Sequence, residues 1–296
     1  MRGIVVGVNG STEADEALDW AMREADGRQA PLTAVLVTHA GGRSGDAAHD
    51  EAEQAQVRDS LDRARERTGL TPASEACVVS GPAADALLEA AGADADMLVL
   101  GRRRRARLGR RVLGSVSTTV VEHAHVPVTV VRHGDPTDPA DGTITPEGAP
   151  APASRPRRVV VGVDTSPPSV AALRHGAEIA RRTGAELEAV FAWQITTLAP
   201  LPGSWGWAPP IDDYEKFATE ALSAAVRAAA VDLPAGQLHR SVVHGQAAKV
   251  LVAAAGAADR LVVGARGLGG FERLLLGSVS RQVLDFSPCP VTVVRG

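Results

Sequence analysis

The chain has 296 residues, enough for roughly two domains, and its 45% hydrophobic content with a mean hydropathy of −0.01 belongs to globular proteins rather than disordered chains. A net charge of −4 and a pI near 6.1 exclude a general attraction to nucleic acid or anionic membrane, so any bound anion has to be held by local groups. Two cysteines, no zinc-type ligand spacing and no run of ~18 to 20 apolar residues exclude a disulfide framework, a zinc site and a membrane span, and lead us to expect a cytoplasmic chain with Cys77 and Cys289 reduced.

The first element is an apolar strand, Ile4-Val5-Val6-Gly7-Val8, which ends at Asn9, too soon for a signal peptide. Its continuous apolar character is that of a parallel strand buried on both faces. Ser11 stands where a helix N-cap belongs, and Ala14, Ala17, Leu18, Ala21 and Ala25 recur at helical spacing behind it. A second strand follows at 32–38, a helix at 51–67, a third strand at 76–79, a helix at 83–91, a strand ending Leu98-Val99-Leu100-Gly101, a helix opening at Gly114, and a last strand within 126–132. From 134 to 156 the apolar periodicity stops and six prolines appear among Gly, Asp, Thr and Ala, the signature of a semi-extended linker.

The elements then repeat. Arg157-Arg158-Val159-Val160-Val161-Gly162-Val163-Asp164-Thr165-Ser166 restates residues 2–11, with Ser166 as N-cap and Pro167 at the first helical position. The repeat continues with a strand at 187–193, a helix at 213–230, a strand at 239–243, a helix at 247–255, the strand Leu261-Val262-Val263-Gly264, a helix after Gly277 and a last strand within 289–295. An irregular stretch, 196–210, carries Trp205, Trp207 and four prolines, and reads as a lid, a domain-contact surface or an Ω-like loop that covers core. We therefore expect an α/β fold of two tandem open parallel sheets, Rossmann-like, in domains 1–133 and 157–296 joined by the linker 134–156.

One stretch points to chemistry. Gly264-Ala265-Arg266-Gly267, nine residues, then Gly277-Ser278-Val279-Ser280 puts two glycine turns where a strand hands over to a helix. Glycine permits positive φ and close backbone approach, a helix N-terminus presents unpaired N–H groups, and Ser278 and Ser280 add hydroxyl donors, which together suit a phosphate. No P-loop lysine and no dinucleotide-type glycine fingerprint is present. Asp164, at the end of the first strand of the second copy, reads either as a carboxylate for ribose, nucleobase or a phosphate-bound magnesium ion, or as a local helix-start aspartate beside Ser166. No catalytic triad, metal cluster or general base aimed at a γ-phosphate is evident, and the eight histidines show no ligand spacing.

The G-x2-G-x9-G-S spacing, with the tandem repeat around it, resembles the universal stress protein family, in the adenine nucleotide alpha hydrolase-like fold class. The resemblance implies that ATP with Mg2+ binds the second copy through Val163, Asp164, the backbone at Ala192, Val263, Gly264, Arg266, Gly267, Gly277, Ser278, Val279 and Ser280, with Asp164 the candidate for the ATP-bound magnesium. The same positions in the first copy are Val8, Asn9, Val37, Leu100, Gly101, Arg104, Gly114, Ser115, Val116 and Ser117. Asn9 replaces Asp164 and Arg104 replaces Gly267, so we expect a weaker and less magnesium-dependent first site. The arginines of the 102–111 run either attract phosphate there or form a solvated basic loop. The resemblance further implies a nucleotide-sensing regulatory module of the stress response, with domains paired through their last strands and chains able to form a homodimer. It implies neither nucleic acid nor membrane as partner. A slow ATP hydrolase on the same site, or a nucleotide-free interaction scaffold, are the competing readings.

Overall fold

In both copies the opening apolar run forms a strand and the serine behind it starts a helix. The computed structural model describes residues 1–38, 47–102, 113–132, 157–194, 211–268 and 275–296, with backbone alone at 47–50 and 211–212. The linker 134–156, the arginines from 103 to 111 and the loop 196–210 with Trp205 and Trp207 lie outside the described residues.

The chain divides into two units, Met1–His133 and Gly134–Gly296. The first runs β1 (Gly3–Val8), α1 (Thr12–Arg28), β2 (Leu32–Thr38), α2 (Ala47–Thr68), β3 (Ser74–Ser80), α3 (Ala83–Ala91), β4 (Ala95–Gly101), α4 (Ser115–His123) and β5 (Val128–Val131). The second runs β6 (Arg158–Val163), α5 (Pro167–Thr183), β7 (Glu186–Trp193), α6 (Ile211–Ala228), β8 (Leu238–His244), α7 (Ala247–Ala255), β9 (Arg260–Gly264), α8 (Ser278–Phe286) and β10 (Val291–Val294). Within the first unit the strand order is β3-β2-β1-β4-β5, and within the second β8-β7-β6-β9-β10. The recorded pairs inside each unit are all parallel. The order reverses between β1 and β4, and between β6 and β9. The carboxyl ends of those strands therefore flank a crevice, the place where open α/β sheets take ligands.

Alternation along the strands sorts the core. Ile4, Val6 and Val8 of β1 pack with Leu18 and Met22 of α1 and Val57 and Leu61 of α2. Val159, Val161 and Val163 of β6 pack with Leu173 of α5 and Leu222 of α6. The opposite face is closer packed. A Cβ on Gly162 would lie 2.8 Å from Leu251 of α7, and one on Gly7 3.4 Å from Leu87 of α3, so these glycines let the helices settle onto the sheet.

The helix starts follow the sequence. Ser11 Oγ accepts from Ala14 N and Ser166 Oγ from Ser169 N, both at 3.3 Å, each N-cap worth about 1 kcal/mol. Boundaries move where proline or a left-handed residue intervenes. Pro127 and Pro290 cannot donate, and the last strands begin after them, at Val128 and Val291. α6 stops at Ala228, short of residue 230, because Ala230 takes a φ of 50°. No helix among the described residues is long and apolar enough to cross a membrane.

Candidate functional site

The register of the second unit assembles its candidate residues at one end of the sheet. Val163 pairs with Phe191, which sets Ala192 beside Asp164, and Val161 pairs with Val262, which sets Val163 level with Gly264. Val163 and Val263 are buried, so their side chains are committed to the core while their backbone reaches the crevice.

Two hydrogen bonds strap the glycine turns together. Gly277 N donates to Ala265 O at 2.8 Å, and Ser280 Oγ donates to Gly264 O at 2.7 Å. Ser280 is buried, and its single proton is spent inside the fold. Ser278, by contrast, is exposed at the first position of α8. Gly277 is the N-cap and supplies no side-chain bond, so the first-turn N–H groups of Ser278, Val279 and Ser280 are not taken by a cap.

The glycines serve a different purpose from the one their sequence suggests. Neither Gly264, Gly267 nor Gly277 has a φ in the left-handed region, and Gly277 sits at −71°. Two of the three leave no room for a Cβ, each for a separate reason. A Cβ on Gly264 would lie 2.8 Å from the Pro168 carbonyl carbon and 2.9 Å from Ser169 N, in the first turn of α5. One on Gly267 would overlap the Asp164 carboxylate. One on Gly277 would make ordinary contacts, with Ala265 O and Arg266 Cα at 3.5 Å and Ser280 Oγ at 3.6 Å, so an alanine fits there without displacing protein.

Asp164 is half-buried and well held. Its Oδ1 accepts from Ser166 N at 3.1 Å and Ser166 Oγ at 2.6 Å, and its Oδ2 accepts from Leu268 N at 3.0 Å. A carboxylate offers about four acceptor sites, which leaves one for a ligand hydroxyl or a cation. The helix-start reading of Asp164 is thus realised, together with a bond to the glycine turn that no local pattern announces. Arg266 is exposed and contributes its carbonyl near Ser166 Oγ, at 3.4 Å.

The first unit repeats part of this arrangement. Asn9 Oδ1 accepts from Ser11 N at 3.0 Å and Ser11 Oγ at 2.6 Å, and Val37 lies one residue beyond the Val8–Leu36 pair. Gly114 caps α4 at φ −64° with no side-chain bond, leaving Ser115 and Val116 exposed and Ser117 buried. Leu100 is buried, and a Cβ on Gly101 would overlap the Glu13 carbonyl oxygen of α1. Arg104 lies outside the described residues. Arg102, read from sequence as one of a run that either attracts phosphate or forms a solvated basic loop, is buried at 8% exposure, where the second unit has Ala265. The reason is backbone pairing: Arg102 N donates to Val131 O at 3.0 Å, which continues the β4–β5 ladder and carries the residue into the sheet.

Three features had escaped the sequence reading. Thr165 adopts φ 69°, where the first unit has Gly10 at 74°, and Ser169 Oγ accepts from Asp164 N at 3.3 Å. Beside Ala192, buried Trp193 stacks on Tyr214 with ring centroids 6.2 Å apart and meets the His244 ring at 4.6 Å. The signal for the first was the Gly10/Thr165 exchange between copies; the others depend on contacts that spacing does not disclose. Among the described residues no group of three His, Cys, Asp or Glu side chains could hold a metal by itself.

Comparison with known proteins identifies the family and the fold. The model of the Universal stress protein family matches residues 1–132 and again 156–295. The chain belongs to that family. Among curated members, the universal stress protein Rv2005c of Mycobacterium tuberculosis is 35% identical, over 99% of this chain and 97% of its own length. A universal stress protein of Mycolicibacterium smegmatis is 32% identical, over 99% and 97%. Among solved structures, a universal stress protein from Archaeoglobus fulgidus superposes with a TM-score of 0.68 at 19% identity, covering 99% of this chain and 98% of that one, and so shares its fold.

Proposed function

We propose that this universal stress protein is a nucleotide-sensing regulatory module whose second unit binds ATP with magnesium. The observation that carries the reading is the strapped pair of turns, which holds the uncapped first-turn N–H groups of α8 next to the 264–268 segment. Phosphate is the ligand class such a site suits, with the helix dipole adding about 0.3 to 1 kcal/mol per charge. In this reading the Ala192 backbone meets the adenine, and the fourth acceptor site of Asp164 meets magnesium held by the phosphates. Asn9 offers no anionic ligand, so the first unit binds more weakly and with less dependence on magnesium. In the same reading chains associate as homodimers, and the protein acts in the cytoplasm in the response to stress. Mass spectrometry of ligand released from purified protein, followed by titration calorimetry with MgATP, tests the proposal: no released nucleotide and no heat of binding would overturn it.

A further inference from the structure

We propose that Asp164 is a positioning residue that latches the first glycine turn through the Leu268 N–H, and that residue 267 is glycine to make room for that latch. The comparison between the two units isolates what the carboxylate adds. Asn9 in the first unit takes the same two bonds from its serine, at 3.0 and 2.6 Å, as Asp164 takes from Ser166, at 3.1 and 2.6 Å. Starting the helix therefore requires only one side-chain oxygen. The second oxygen of Asp164 reaches 104 positions along the chain to accept from Leu268 N. An asparagine has an NH2 group in that place, a donor facing a donor.

Gly267 is tied to the same oxygen. The three heavy atoms nearest to a Cβ built there all belong to the Asp164 carboxyl group: Oδ2, which it would overlap, Cγ at 3.3 Å and Oδ1 at 4.0 Å. No nearer contact is made by the described residues, and φ is not left-handed, so among the described residues the latch is what demands a glycine at this position. Any larger residue displaces the carboxylate from Leu268 N. The two differences between the copies, Asn9 for Asp164 and Arg104 for Gly267, are then coupled: where asparagine offers an NH2 group in place of Oδ2 there is no acceptor for the N–H of the turn, and so no latch for a glycine to preserve. The latch also acts on the strapped turns, because residues 264–268 carry the carbonyls of Gly264 and Ala265 to which Ser280 and Gly277 are bonded. Fixing that segment preorganises the cradle before any ligand arrives.

The consequence for affinity rests on the ATP reading above; the latch itself does not. The test uses the full chain with Asp164→Asn, Asp164→Ala, Gly267→Ala and the double variant Asp164→Ala/Gly267→Ala. Amide hydrogen exchange at Leu268 should quicken about tenfold or more in Asp164→Asn and in Gly267→Ala, the scale of one charge-assisted hydrogen bond. Titration with ATP should show a loss of about tenfold in each single variant, present in EDTA as well as with magnesium, and no further loss in the double variant. Unchanged Leu268 exchange in Asp164→Asn, losses that multiply in the double variant, or a loss confined to MgATP would overturn the latch. Should Asp164→Ala fail to fold, Asp164→Asn keeps both Ser166 bonds and carries the exchange measurement. Should the wild type bind no ATP, the functional reading falls while the exchange measurement still decides the latch.

Discussion

Adding one methyl group at Gly264 or at Gly277 separates fold from site. At Gly264 the new Cβ would stand 2.8 Å from the Pro168 carbonyl carbon, which is backbone in the first turn of α5. Ordinary carbon contacts begin near 3.5 Å, so helix and strand have to part by roughly 0.7 Å, an overpacking cost of about 1 to 3 kcal/mol. At Gly277 the nearest atoms stand at 3.5 Å and the backbone, φ −71° and ψ 158°, suits alanine. Alanine is the poorer N-cap, but it restricts the unfolded chain, a gain of about 0.4 to 1 kcal/mol, and the two effects nearly cancel. In the proposed function, however, the methyl would crowd the N-terminus of α8, where the phosphate is assigned. We expect Gly264→Ala to lower the denaturation midpoint by several degrees, and Gly277→Ala to leave it within about 2 °C while weakening ATP binding about tenfold or more. Differential scanning calorimetry and binding titration on both variants measure this. A folded Gly277→Ala chain with wild-type affinity would refute the placement of phosphate between the turns.

Other outcomes follow from single residues. Thr165 holds a left-handed φ of 69°, a conformation costing an L-residue about 1 to 2 kcal/mol, so Thr165→Gly should stabilise the second unit by about 0.5 to 1 kcal/mol after glycine's own entropy cost; a less stable variant would show that the threonine side chain compensates its backbone. Burial pushes the Cys289 thiol up from an ordinary 9.0 to about 11. The folded state then holds a proton that the unfolded state releases between those values, so stability should fall as pH rises through that window, by at most about 2 to 3 kcal/mol; a wild-type denaturation profile from pH 9 to 11 as flat as that of Cys289→Ala would contradict it. Converting the first unit with Asn9→Asp/Arg104→Gly should strengthen its MgATP binding and make it magnesium-dependent, and calorimetry showing two equal sites in the wild type would remove the asymmetry altogether.

Much of the fold was legible because its determinants are local. Alanine-rich runs between turn residues give α3 and α7 at Ala83–Ala91 and Ala247–Ala255, as their sequence predicts, and Ser11 and Ser166 cap the helices they precede. Strand and helix ends shifted where one residue's backbone decided them, as Ala230 and Pro290 did. The site was legible as a set of positions but not as a set of causes. The glycines looked like suppliers of positive φ, whereas Gly264 and Gly267 are excluded volume set by Pro168 and Asp164, about a hundred residues earlier in the chain. Ser280 looked like a ligand donor because a sequence shows a hydroxyl without showing the Gly264 carbonyl that claims it. Such partners are brought together by the parallel crossover, and spacing along the chain carries no record of them.

The donors at the start of α8 belong to the main chain, and this changes what kind of mutation can silence the site. Trimming Ser278 or Val279 to alanine leaves their N–H groups in place. A conventional alanine scan across the helix would therefore return a row of functional proteins and invite the conclusion that the segment is inert. Loss comes from the opposite direction, by adding atoms at Gly277 or by freeing the turn that Asp164 holds. Random mutagenesis should accordingly yield inactive chains enriched in glycine replacements, while the residues between them drift with little effect.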